Sequence, residues 1–189
     1  MKLPFFERPE FAVEPLGEDD ASFLADLHAE DFSRPWSEVE FQSLLAQEPV
    51  FGYAAWQVGN RRAGPAGFVL ARLAAGEGEI LTIAVARSRR RHGLGRELME
   101  AVLRELYAQR AEALLLEVDE TNAPALALYR RLGFRQVGRR PITTVPIAPA
   151  RPRLSCGAIF ASRSGHRART GEISWALCVW RWHWRPRRW

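Results

Sequence analysis

The stretch EILTIAVARSRRRHGLGRE, from Glu79 to Glu97, decides the fold of this chain. Ile80, Leu81, Ile83 and Val85 form an apolar, partly β-branched run with the length of a buried strand. The chain then turns basic through Arg87, Arg89, Arg90 and Arg91, and a helical pattern opens after Gly93 and Gly95. A strand, a glycine-containing turn and a helix start, in that order, suit an anion. Glycine lets a ligand approach the backbone, and the first amides of a helix lack intrahelical acceptors and carry the positive end of its dipole. A plain tight turn beside a solvated basic face fits the same letters. No Lys-Ser/Thr follows the glycines, which argues against a P-loop, and Leu98 stands where a dinucleotide fingerprint has its third glycine.

Downstream, Leu94, Leu98, Val102, Leu103 and Leu106 recur at helical spacing, predicting an amphipathic helix to about Ala108. Ala113 to Val118 reads as a short buried strand, and Ala125 to Leu132 as a helix stopped by Gly133. The βαβα order between residues 80 and 132 predicts two parallel strands with a right-handed crossover. Upstream, Phe11 to Leu16 alternates like an edge strand, and Phe23, Leu24 and Leu27 share a helix face. Ser37 with Glu40 forms a capping box ahead of Phe41, Leu44 and Leu45, so a second helix starts near Ser37. Phe32 and Trp36 either pack against that entry or wall a substrate groove. Strands over Val50 to Gln57 and Ala66 to Arg72 turn at Gly59-Asn60, and a loop from Ala74 to Gly78 delivers the central strand. Strands without intervening helices pair antiparallel. The class is α/β (α+β), a mixed, mostly antiparallel sheet with one parallel pair at the anion loop.

Glu117 lies inside Leu114-Leu115-Leu116-Glu117-Val118, so it either points to solvent from an edge or is partly desolvated, which would raise its pKa toward neutrality. Tyr129 fits a core aromatic with its hydroxyl at the rim, and Asn122 fits a helix N-cap. Two cysteines and four scattered histidines make neither a disulfide framework nor a metal constellation, and no metal is expected. The chain has no apolar run near the ~20 residues of a membrane span, and its first residues do not make a signal peptide; a cytoplasmic protein is expected.

The net charge of +5 is unevenly placed: residues 141–189 hold nine Arg and one Glu, or +8, so residues 1–140 carry −3. Five of the seven Trp and both Cys also fall after residue 141. The chain therefore divides into a domain over 1–140 and an atypical Arg/Trp-rich tail over 141–189.

Three segments resemble the GNAT N-acetyltransferases. Arg90 to Gly95 resembles the R-x-x-G-x-G acetyl-CoA pyrophosphate loop of that superfamily. LLLEVDETNAPALALYRRLGF, Leu114 to Phe134, is similar to its L-x-L-x-V-x-x-x-N-x-x-A-x-x-L-Y-x-x-x-G-F pattern, and DFSRPWSEVEF, Asp31 to Phe41, to the F-x-x-P-W-S-x-x-x-F of RimI-type ribosomal-protein alanine N-acetyltransferases. The resemblance covers residues 11–140. It implies acetyl-CoA as co-substrate, its pantetheine arm bonded by the backbone of Ile83, Ala84 and Val85. It places the pyrophosphate in Arg91, His92, Gly93, Leu94, Gly95 and Arg96, with Asn122 farther along. It makes Glu117 the proton acceptor and Tyr129 the proton donor. The implied acceptor is the N-terminal alanine of a small-subunit ribosomal protein, and the acidic domain is compatible with a basic peptide; the alternatives are another protein N-terminus or a small-molecule amine, or an impaired acetyl-CoA-binding domain whose basic tail binds nucleic acid or membrane.

After Gly138 the chain departs from the family, which continues with a loop of paired tyrosines and a last strand. The final strand is expected to be missing or altered, the tail poorly ordered. As an added arm, the tail's Arg and Trp suit nucleic acid or an anionic membrane surface. The favoured explanation, as a hypothesis, is a slip of the reading frame near Pro141. One base over, Thr143 and Thr144 can become tyrosines, and the codons of Leu154 to Phe160 are compatible with the family ending; sequencing the DNA decides.

Overall fold

The computed structural model describes residues 9–138, 153–160 and 181–182. The chain forms two units, Met1–Leu70 with Thr82–Val102, and Ala71–Leu81 with Leu103–Trp189.

In the first unit, β1 (Phe11–Pro15) pairs antiparallel with β2 (Val50–Gln57), from Phe11 opposite Gln57 to Pro15 opposite Tyr53. The strand order continues into β3 (Pro65–Ala74) and β4 (Glu77–Val85). Gly52 sits where a Cβ would come within 2.5 Å of the Val69 carbonyl oxygen, so the absent side chain is what lets β2 lie so close to β3. After β1, a 3-10 turn with Asp20 accepting the Gly17 amide at 3.0 Å leads into α1 (Ala21–Ala29). The buried stripe of α1 is Ala21, Leu24, Leu27 and His28. The capping box read from the sequence is in place. Ser37 Oγ accepts the Glu40 amide at 3.3 Å and Glu40 accepts the Ser37 amide at 2.7 Å, which starts α2 (Glu38–Leu45). Its Phe41 is fully buried and meets the buried Phe68 of β3 edge-on, centroids 5.6 Å apart.

In the second unit, β3 and β4 are joined by a two-residue turn, Ala75-Gly76, with φ of 51° and 81°. The sequence predicts a longer loop there, from Ala74 to Gly78. Two successive positive-φ residues instead close a primed hairpin turn whose twist suits the strands, and Glu77 and Gly78 join β4. Gly78 is needed where it stands: a Cβ would meet Leu106 Cδ1 at 2.8 Å and Leu114 Cδ1 at 3.2 Å. β5 (Ala113–Asp119) lies parallel to β4, with Glu77–Ile80 opposite Ala113–Leu116, the parallel pair expected from the βαβα order.

The helix between them, α3 (Leu94–Ala108), ends in a Schellman arrangement. The Arg110 amide donates to Tyr107 O at 3.1 Å and the Ala111 amide to Leu106 O at 2.9 Å, with Arg110 left-handed at φ 57°. A non-glycine residue pays for that conformation with steric strain, so Arg110→Gly is expected to stabilise the protein by about 1 kcal/mol, or roughly 2–4 °C in Tm. A thermal melt checks this; an unchanged or lower Tm counts against it.

α4 (Ala123–Arg131) ends the same way on Gly133, φ 87°, with Phe134 N–H donating to Tyr129 O at 3.0 Å. β6 (Arg135–Gln136) follows. The final strand is present in altered sequence: β7 (Arg153–Phe160) pairs antiparallel with β5 along seven positions, from Ala113 opposite Ile159 to Asp119 opposite Arg153. β5 thus has no open edge there, contrary to the exposed edge that loss of this strand would leave. β6 pairs with β7, as does β8 (Arg181–Trp182), giving the order β4-β5-β7-β6. The expected tyrosine-pair positions, Thr143 and Thr144, and the rest of the tail lie outside the described residues.

Candidate functional site

The end of β4 and the turn into α3 form the expected anion loop in the first unit. The parallel ladder of β4 covers Glu77–Ile80, so Ile83, Ala84 and Val85 lie past its end; Ala84 is buried, Ile83 and Val85 half-buried. The arginines that follow do different things. Arg87 donates from its amide to Glu30 at 3.1 Å, from Nε to Asp31 at 3.0 Å, and from a guanidinium nitrogen to the Glu30 carbonyl. Arg90 donates to Val85 O at 3.2 Å and to Asp31. Burial by itself would raise the Asp31 carboxyl, but the hydrogen bonds and charges of Arg87 and Arg90 outweigh it and hold it below the ordinary carboxylate value. Arg89 lies over the Phe11 ring, 5.6 Å from its centroid. Arg87 and Arg90 therefore clamp the loop to the end of α1.

Past the clamp, Arg91 is exposed and left-handed, φ 68°, and Gly93 has φ 90°. The amides of Arg96 and Glu97 donate to Gly93 O at 2.8 and 3.2 Å, while those of Leu94 and Gly95 head α3 without intrahelical acceptors. His92 Nδ1 lies 2.9 Å from the Arg90 carbonyl, to which it can only donate, which orients the exposed ring. Beside this turn lies an open cavity of about 530 Å³ lined in part by Phe11, Arg91, His92 and Leu94. Open helix amides, a left-handed turn and an exposed guanidinium fit a phosphate group. Arg91, His92 and Gly93 form the turn, and Leu94, Gly95 and Arg96 the first residues of α3.

The second unit holds the other candidates. Leu114, Leu116 and Val118 of β5 are buried on one face, and Glu117 is exposed on the other. The sequence leaves Glu117 exposed at an edge or desolvated inside; the structure exposes it on a strand paired on both sides, opposite Ser155 of β7. Beyond it, Asp119 Oδ1 accepts from the Thr121 amide and hydroxyl at 2.8 and 2.7 Å, an Asx turn that sets up α4. Asn122 is the N-cap, its Oδ1 accepting the Ala125 amide at 3.2 Å. Tyr129 is 4% exposed, with its ring 5.7 Å from that of Phe134.

Sequence reasoning passed over one residue of the first unit, His28, which is buried among Phe32, Trp36, Phe41 and Phe68. Its signal was its place four residues after Leu24, on the apolar stripe of α1. Among the described residues, no group of three or more His, Cys, Asp or Glu is placed to hold a metal, and no helix is long and apolar enough to cross a membrane.

Residues 21–134 match the model of the acetyltransferase (GNAT) family, and the chain belongs to that family. It is 35% identical over 102 residues to the ribosomal protein bS18-alanine N-acetyltransferase of Escherichia coli, covering 54% of this chain and 66%, just under two thirds, of that protein. It is 38% identical over 125 residues to the N-alpha-acetyltransferase RimI of Mycobacterium tuberculosis, covering 64% of this chain and 76% of that one. The crystal structure of the Escherichia coli ribosomal-protein alanine N-acetyltransferase matches with a TM-score of 0.72 at 26% identity, over 84% of this chain and all of that one.

Proposed function

We propose that this protein transfers the acetyl group of acetyl-CoA to the N-terminal alanine amine of a small-subunit ribosomal protein. The observation that carries the proposal is the anion turn, with its open Leu94 and Gly95 amides following a strand that outruns its parallel ladder. That turn suits the pyrophosphate, and the stretch Ile83, Ala84 and Val85, past the end of the parallel ladder, suits the amide-bearing pantetheine arm. Asn122 is assigned a contact farther along the cofactor, in addition to capping α4.

The acceptor amine attacks the thioester carbonyl carbon, the carbon–sulfur bond breaks, and the amine proton leaves. Glu117, open to solvent, accepts that proton directly or through water, and Tyr129 protonates the departing thiolate. Neither Cys nor Ser stands in Arg90 to Gly95 or Leu114 to Phe134, the matched segments given the cofactor and proton-transfer roles, and Ser37 is engaged as the cap of α2, so transfer is direct within a ternary complex, and positioning supplies much of the rate. The −3 charge of residues 1–140 suits a basic peptide from a ribosomal protein in the cytoplasm.

The test is an assay with acetyl-CoA, a peptide beginning with alanine and rich in arginine, and peptides with other first residues. The expected result is one free CoA per acetylated alanine terminus and no acetylated enzyme. Transfer only to other termini or to small amines would overturn the acceptor, an acetyl-enzyme would overturn direct transfer, and failure to bind acetyl-CoA by calorimetry would overturn the whole reading.

A further inference from the structure

His28 has no part in the chemistry above, yet it is 2% exposed at the end of α1. Its ring stacks on Phe32, centroids 3.8 Å apart and planes at 7°, and on Trp36 at 5.2 Å and 20°. Phe41 meets it edge-on at 5.5 Å. Its Nδ1 accepts the Trp36 amide at 3.0 Å, and its carbonyl accepts the Asp31 and Phe32 amides at 3.3 and 3.2 Å. One residue thus holds both ends of the segment 32–36. Phe32 is 39% exposed and Trp36 half-buried, so the two rings form an apolar wall that begins in the core and ends at solvent.

Nδ1 can accept from Trp36 only while it carries no proton. An imidazolium has two N–H donors and would face the Trp36 N–H donor to donor.

We infer that His28 is a positioning residue for the acceptor: neutral, it fixes the Phe32–Trp36 wall along which the acceptor chain lies, and protonated, it releases the Trp36 end. This rests on the acetyltransferase reading. The groups around it leave the switch to His28. From α2, Glu40 favours the imidazolium, but its carboxylate is already held by the Ser37 amide and hydroxyl at 2.7 and 2.8 Å. From β3 comes Phe68, which is uncharged. On the turn after α1, Asp31 is engaged by Arg87 and Arg90.

Burial outweighs Glu40 and lowers the pKa of His28 below its ordinary value. A histidine depressed in the folded state contributes stability that is complete above its unfolded value, about pH 6.5, and is lost as pH falls through the lower folded value.

The experiment measures acceptor KM and kcat at saturating acetyl-CoA from about pH 4 to 8 for the wild type, His28→Asn and His28→Leu. Asparagine offers a non-titrating acceptor near the place of Nδ1; leucine offers none. In parallel, Trp36 fluorescence is isolated as the difference from Trp36→Phe. Dividing wild-type KM by that of His28→Asn cancels ionisation of the acceptor amine. That ratio is expected to rise as pH falls below the ordinary histidine value of about 6.5, toward a limit of about 3- to 10-fold, the worth of one hydrogen bond, with the kcat ratio flat. His28→Leu is expected to have a raised KM at every pH, and the Trp36 signal to titrate in the wild type but not in His28→Asn. A flat KM ratio, or a Trp36 signal that is the same in both, overturns the inference. If the wild type acetylates no amine, the acetyltransferase reading fails and takes the acceptor role of His28 with it, while the Trp36 signal still shows whether His28 holds the wall.

Discussion

Glu117→Gln is expected to lower kcat for acetyl transfer by about 10²- to 10⁴-fold while leaving the Kd for acetyl-CoA unchanged, because general-base catalysis contributes on that scale. Glutamine keeps the shape and polarity of the side chain and removes only its ability to take a proton. Glu117 is exposed and its strand is paired on both sides, so the substitution leaves the buried Leu114, Leu116 and Val118 in place and the fold intact. The deficit should shrink as pH rises past about 8, where a peptide α-amino group sheds its proton to bulk solvent without help. Steady-state kinetics across pH, with calorimetry for the cofactor, checks both parts. A variant that turns over like the wild type would remove Glu117 from the mechanism.

Phe41→Ala is expected to cost about 3–5 kcal/mol of stability, the usual range for deleting a fully buried phenylalanine. For a chain of this size that lowers Tm by roughly 6–20 °C. The large value is expected because Phe41 is 0% exposed and meets three other rings, Trp36 at 5.4 Å, His28 at 5.5 Å and Phe68 at 5.6 Å. A void there is bounded by rigid planes from α1, β3 and the segment before α2, which collapse poorly into a gap. Phe41→Leu should recover most of the loss. Differential scanning calorimetry distinguishes the cases, and a drop of under about 3 °C for the alanine variant would show that the cluster repacks.

How far the letters carried the structure depended on whether the signal was local. Ser37 and Glu40 determine a helix start through contacts three residues apart, and the capping box formed as read. The order of strand, turn and helix around Gly93 and Gly95 was equally local, and α3 begins at Leu94 as the spacing implied. The division of labour among the arginines was not legible. That Arg87 and Arg90 reach back to Glu30 and Asp31, more than fifty residues earlier, is a tertiary fact. His28 was hidden for a similar reason. Its helical spacing put it on the stripe, but only folding surrounds it with Phe32, Trp36 and Phe68. The Ala75-Gly76 turn was misjudged because alanine seldom takes a positive φ, so a wider loop was the natural reading of the letters. The strand Arg153–Phe160 was obscured by composition: ladder pairing is made by backbone groups, and residues that resemble no family ending can still supply them.

The clamp on Asp31 changes what kind of phosphate site the anion loop can be. Of the four arginines between Arg87 and Arg91, two are spent on acidic partners and one lies over Phe11, so attraction toward a phosphate rests mainly on Arg91 and on peptide N–H groups fixed in direction by the fold. Fixed dipoles act over a few ångströms and shed few counterions when a ligand arrives, whereas a cluster of mobile cations acts at a distance and is blunted by dissolved salt. If the loop takes the pyrophosphate as proposed, it is expected to hold it with much the same grip in dilute and in concentrated electrolyte, and to select by shape at contact rather than to gather polyanions from afar.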